Sequence, residues 1–279
     1  MLQIAVAGHF AEIFLNGAHV RSWQPAGHGP VLWMSGKSNF TEGLAIRGGV
    51  PICFPWFGIP ERHPDAAHHG FARTSRWELM EVSEGIETVT LVFRLRDTPA
   101  SRTTCWPFRF EATYTVTIGG ELVLTLEVEN RDEIDFTYET AFHTYYAVGD
   151  AQQTRITGLE DLPYFEGGRR VTGSDMRPLR LGMAETGRRY DEATGGCIDD
   201  PVNGRVISVT SQGSRGIVIW NPGQERSRDL IDFEDGGWTD TVCLETCNLA
   251  ESAVRLRPGD RHRTSVTVAV SSRAPESPG

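Results

Sequence analysis

Lysine is nearly absent from this chain. Of the 27 basic residues among 279, only Lys37 is lysine; the rest are arginine. Basic residues are outnumbered by 37 acidic ones, leaving a formal net charge of −10 with histidine neutral. The basic stripe that nucleic-acid binding needs is not available, and no nucleic-acid partner is expected. Any anion bound here would meet guanidinium forks, which match phosphate and carboxylate oxygens in pairs. Long apolar runs are missing too. Nowhere do about 18 uncharged apolar residues follow one another, which excludes a membrane-spanning helix, and no membrane partner is expected. The opening stretch MLQIAVAGHFAEIF has no basic segment leading into a long apolar core, so no secretory signal is expected and a cytoplasmic location is.

Cysteine is sparse and odd in number: Cys53, Cys105, Cys197, Cys243 and Cys247. Such a widely spaced set does not form a disulfide framework, in keeping with a reducing compartment. On a strand, Cys243 and Cys247 would share a face about 13 Å apart, too far for one metal ion to bridge. His63, Asp65, His68 and His69 lack a regular ligand spacing, so no metal is expected. There is no P-loop, no GxSxG, no HExxH and no Rossmann glycine pattern. Phosphoryl transfer, serine hydrolysis and nicotinamide chemistry therefore lack support, and no cofactor is expected.

What the chain has in quantity is glycine, 30 residues, and alternation with a period of two. Val89, Leu91, Phe93 and Leu95 share one parity, as do Phe108, Phe110, Ala112, Tyr114, Val116 and Ile118. Gly119-Gly120 then signals a two-residue hairpin before Leu122, Leu124, Leu126 and Val128. Shorter runs recur near 206–210, 216–220, 242–245 and 265–270, while helical periodicity is confined to one or two turns at Gly223–Asp229. Many short strands between turns describe an all-β protein, a large antiparallel sandwich. No linker divides it, so residues 1–272 are expected to form a single domain. The Pro- and Ser-rich tail, residues 273–279, is expected to be disordered. Two strand-poor stretches, 46–76 and 158–200, read as long loops, which in a compact sandwich are usually functional.

The chemistry-bearing residues fall in a few short blocks. RGGVPICFPWFG opens with Arg47, and HHGFAR carries His68, His69 and Arg73. His143 sits among aromatic and small residues in AFHTYYAVGD; on local sequence alone it could be a satisfied core histidine. Glu245 interrupts the apolar strand-like run VCLETCN, where an unpaired carboxylate is costly unless it has a partner or a wet cleft. A glutamate and a histidine on separate strands of one sheet face make a plausible acid–base pair.

These blocks, with GLEDLPYFEG, the NPG that begins at Asn221 and the W-x-x-x-V-C-L-E-T-C-N run, occur in order between about residues 46 and 258. Together they resemble the hexose-6-phosphate mutarotases, also called glucose-6-phosphate 1-epimerases, of the aldose 1-epimerase superfamily. The resemblance implies a galactose mutarotase-like supersandwich. It implies His143 as catalytic acid and Glu245 as catalytic base, with Arg47, His68, His69 and Arg73 at the substrate. The implied substrate is a small-molecule hexose-6-phosphate and the expected state is a monomer. One departure stands out: Gly187 falls where the family usually has a substrate-binding Asp, and Glu185 or Asp191 could substitute. The alternatives are a mutarotase for unphosphorylated aldoses and a catalytically weak sugar-phosphate-binding protein.

Overall fold

The structure, a computed structural model, describes residues 1–172 and 176–273. Its clearest element is the expected hairpin. Phe110–Ile118 buries every second side chain, turns at Gly119-Gly120 and returns as Glu121–Asn130. That hairpin lies within a nine-stranded antiparallel sheet. In spatial order the strands are Leu179–Arg180, Arg155–Thr157, Gly195–Asp200, Arg205–Gln212, Arg261–Ser272, Glu121–Asn130, Phe110–Ile118, Val89–Arg96 and Glu78–Glu84.

A second antiparallel sheet covers it. Its order is Arg169–Val171, Tyr164–Glu166, Thr186–Tyr190, Gly216–Asn221, Thr241–Asn248, Thr140–Phe142 and Ile52–Cys53, with Tyr145–Ala147 also paired to Thr241–Asn248. The inner faces share one core: the Tyr114 ring lies 6.0 Å from that of Phe142, and the Phe110 ring 5.2 Å from that of Phe54. Each large apolar side chain so enclosed contributes about 1.5–3 kcal/mol relative to exposure. A three-stranded meander, Leu2–Val6, His9–Phe14 and His19–Gln24, packs beside them, its Trp23 indole donating to the Gly119 carbonyl at 3.3 Å.

The stretch 158–200 departs from its expected loop character. It carries Tyr164–Glu166, Arg169–Val171, Leu179–Arg180, Thr186–Tyr190 and Gly195–Asp200. Most of these strands are too short to show alternation, and arginine stems stand in for apolar side chains: the Arg188 guanidinium covers the Tyr164 ring and that of Arg189 the Phe165 ring. Of the tail, residues 274–279 lie outside the described residues; Arg273 is anchored, its Nε donating to Asp199 Oδ1 at 2.6 Å.

Thr241–Asn248 is buried at all eight positions. Val242 and Leu244 face the core between the sheets, while Cys243 and Cys247 join smaller apolar clusters on the opposite face. Glu245 has their parity, and this outer face forms the floor of a cleft.

Candidate active site

Strand register brings the two predicted catalytic residues together. Phe142 pairs with Thr246 and Tyr145 with Cys243, so His143 stands across from Glu245 between those pairs. Residues opposed across an antiparallel pair share a face, with Cβ atoms about 5 Å apart. The result is His143 Nδ1 at 3.3 Å from Glu245 Oε1, with both residues deeply buried and both lining the cleft. The same register places Val218 and Arg189 beside Glu245, and Trp220 and Gly187 beside Cys243. The His143 ring stacks on Tyr145 at 4.9 Å, nearly parallel.

The segment between Ile46 and Arg76 forms one wall. Gly70 has φ +74°, and a Cβ there would run into the Phe54 carbonyl oxygen, so the chain can pass only as glycine. This close approach turns the preceding histidines toward the cleft, which both line. The His69 amide donates to the Gly58 carbonyl at 2.7 Å, and the Gly58 amide donates back to His69 Nδ1 at 3.0 Å. An accepting Nδ1 carries no proton, so His69 is a neutral imidazole with its hydrogen on Nε2. Glu139 holds the wall from the far side: Oε2 accepts from the Phe57 amide at 3.0 Å and Oε1 from the Ala250 amide at 2.8 Å.

The cleft measures about 940 Å³, within the range of about 300–1,000 Å³ common for small-molecule sites. Burial governs the chemistry of its floor. It drives the Glu245 carboxyl well above the usual carboxylate range. It drives His143 well below the ordinary imidazole value, helped by the positive charges of Arg47 and Arg73. Both directions favour a neutral carboxylic acid beside a neutral imidazole over an ion pair. Between them the two groups then hold one proton, so one is an acid and the other a base.

A carboxyl–imidazole pair at the base of a sugar-sized cleft on an antiparallel supersandwich narrows the choice, and comparison with known proteins settles the family. The aldose 1-epimerase family profile matches residues 3–269. The chain belongs to the aldose 1-epimerase family. A relative from Escherichia coli K12, provisionally named glucose-6-phosphate 1-epimerase, is 34% identical over 247 residues, covering 87% of this chain and 81% of its own. One from Cenchrus ciliaris with the same provisional name is 31% identical, covering 91% of this chain and 79% of its own. Among solved structures, a protein from Salmonella typhimurium provisionally described as a mutarotase superposes with a TM-score of 0.89 at 30% identity, over 97% of this chain and 90% of that one. An aldose epimerase homologue from C. elegans, 13% identical, shares the fold with a TM-score of 0.74 over 98% of this chain and 99% of its own. Anomer interconversion of a sugar is the activity of this family, and no helix among the described residues is long and apolar enough to cross a membrane.

In this aldose 1-epimerase family member the expected binding residues divide. Arg47 lines the cleft, its Nε and Nη2 donating to Asp232 Oδ1 at 3.2 and 3.1 Å and its Nη1 to the Tyr145 hydroxyl at 2.9 Å. Those bonds use three of the five guanidinium N–H groups and leave two for a ligand. Arg73 is not among the residues lining the cleft. Its Nη2 donates to the His68 carbonyl at 2.8 Å, and its Nε is buried without a hydrogen-bond partner among the described residues. Burial, then the charges of Arg73, Arg47 and Arg226, lower the His68 imidazole to about 4; Arg47 and Arg226 line the same cleft as His68. His63 and Asp65 line a separate hollow with Trp56 and Cys105, apart from His68 and His69.

Gly187 faces the cleft opposite Trp220; its φ is ordinary, and the nearest atom to an added Cβ is Trp220 Cδ1 at 4.0 Å. Neither backbone nor crowding demands glycine there. Of the two possible substitutes, Glu185 lines the cleft and accepts from Trp220 Nε1 at 3.0 Å, whereas Asp191 is bound by Arg189 Nε at 2.7 Å outside it. Sequence reasoning missed Glu139, Tyr145, Trp220, Arg226 and Asp232. Glu139 alone carried a readable signal, a carboxylate inside the strand-like FTYETAF, the same signal that marked Glu245.

Proposed function

We propose that this protein interconverts the α and β anomers of a hexose-6-phosphate, with Glu245 and His143 as the proton-transfer pair. The observation that carries the reading is the 3.3 Å approach of His143 Nδ1 to Glu245 Oε1 in a cleft lined also by Arg47 and Arg226. The base takes the proton of the C1 hydroxyl while the acid protonates the ring oxygen, and the ring opens. After rotation about C1–C2, the group that received a proton returns it to the carbonyl oxygen. Its partner takes the proton back from the former ring oxygen, and the ring closes on the other face. The pair ends as it began, with one proton between its members. Glu245 as base and His143 as acid is the assignment the family resemblance implies; the closure step requires each to play the other part.

Recognition of the phosphate falls to the end of the cleft around His68. Among the described residues Arg226 is the least committed cation there, paired only to Asp229 at 3.4 Å on the exposed helix Gly223–Asp229. Arg47 adds its two spare N–H groups, and Arg73 supports His68 from behind. A second reading, a mutarotase for free aldoses, draws on the carboxylates already opposite the other cleft arginines: Asp191 and Glu251 at Arg189, and Glu166 at Arg188. Saturation curves by NMR anomer exchange on glucose-6-phosphate and glucose separate the two. The proposal expects strong preference for the phosphate ester. It also expects Arg226→Met to lower kcat/KM on the ester by about tenfold, the equivalent of one charged hydrogen bond at about 1.4 kcal/mol per decade. Equal specificity for both sugars would give the second reading the field.

A further inference from the structure

Cys243 takes no part in that proton transfer, yet it faces the same side of the strand as Glu245, two residues away. Its Sγ, an imidazole nitrogen of His143 and a carboxylate oxygen of Glu245 lie within 4.8 Å of one another, and all three residues are buried. Among the described residues His143 Nδ1 and Glu245 Oε2 have no hydrogen-bond partner. One sulfur, one nitrogen and one oxygen form a borderline-soft donor set that suits zinc and does not suit magnesium or calcium. The spacing fits as well. Around tetrahedral zinc, with bonds of about 2.0 Å to nitrogen and oxygen, those two ligand atoms stand about 3.3 Å apart. His143 Nδ1 and Glu245 Oε1 are 3.3 Å apart. Sulfur, at about 2.3 Å from the metal, would stand about 3.5 Å from each, and the three ligand atoms already lie within 4.8 Å of one another. Trp33, Tyr145, Phe233 and Trp238 pack around the cysteine, while His143 and Glu245 line the cleft.

We propose that Cys243, His143 and Glu245 form a zinc site that shuts off mutarotation when occupied. The inhibitory role rests on the catalytic reading of the pair; the site itself does not. Binding forms three coordinate bonds and sends two protons to water, that of the Cys243 thiol and the one shared by His143 and Glu245. With its lone pairs on the metal, the pair can no longer move protons, and a sugar and a zinc ion exclude each other.

The test uses the intact chain in a buffer free of phosphate and chelators. Cobalt(II), as a zinc probe without any sugar, should bind at one ion per chain. It should give the near-ultraviolet thiolate band and the strong visible bands of a four-coordinate ion. Zinc should lower anomer exchange at least tenfold, and EDTA should restore it. In Cys243→Ser the thiolate band should vanish, and half-inhibition, read against that variant's own metal-free rate, should need at least tenfold more zinc. Cys247→Ser, on the same strand, should keep the band. X-ray absorption of zinc-loaded wild type needs no variant and should show one sulfur at about 2.3 Å with nitrogen and oxygen at about 2.0 Å. A shell without sulfur, or a band that survives in Cys243→Ser, overturns the site. Inactivity on every sugar tested, with the cobalt spectrum intact, would instead count against the catalytic reading.

Discussion

Glu245→Gln isolates proton transfer from shape. Glutamine fills nearly the same volume, but its amide cannot trade a proton with a hydroxyl at neutral pH. Losing a positioned acid or base typically lowers the rate by at least about 10², or about 2.7 kcal/mol of barrier. Because the pair works as one unit, adding His143→Asn should cost little more than either change alone. Stability should move the other way. The folded pKa of Glu245 is raised well above 4.5 by burial, so the folded chain keeps a proton that the unfolded chain gives up. That contribution is fully present below pH 4.5 and shrinks as pH rises toward the folded pKa, by up to about 1.4 kcal/mol per pH unit. Glutamine does not titrate. The melting temperature of the variant, relative to wild type, should therefore climb between pH 5 and pH 8 while anomer exchange collapses. NMR exchange and thermal unfolding on the same samples provide both readings. Exchange near the wild-type rate, or a loss accompanied by a lower melting temperature at every pH, would refute the reasoning.

The pH profile of kcat should be flat where a solvated histidine would titrate. Burial holds the His143 pKa well below 6.5, so protonation of that imidazole should not set a limb at the ordinary histidine value; a kcat that falls on acidification with a midpoint near pH 6.5 contradicts this. Gly70→Ala puts a Cβ into the Phe54 carbonyl at positive φ. Thermal unfolding should show at least the 1–2 kcal/mol roughly expected for a left-handed alanine, with a raised KM because His68 and His69 move; an unchanged melting temperature would count against the close packing. Gly187→Asp should fold normally, since the nearest atom to the new Cβ is 4.0 Å away, and should sharpen the choice between glucose-6-phosphate and galactose-6-phosphate in competition assays. No change in that ratio would mean that the position does not read the sugar.

The sequence by itself determined the layers. Alternation in Val89–Arg96 and Phe110–Ile118 required half-buried strands, and a chain of such strands with almost no helical periodicity buries their faces against a second sheet. It also marked Glu245, because a carboxylate in an apolar strand must have a reason to be there. Strands two or three residues long, such as Arg169–Val171 and Leu179–Arg180, left no pattern to read. Which residue meets which was a matter of register between segments about 100 positions apart, a relation that spacing along the chain does not carry. Register set His143 across from Glu245, and tertiary packing kept Arg47 in the cleft while Arg73 went behind His68 and brought Cys243 within reach of both His143 and Glu245. Spacing tested Cys243 only against Cys247, on its own strand. Its neighbours in space come from across the sheet, where about 5 Å between strands replaces about 3.3 Å per residue along them.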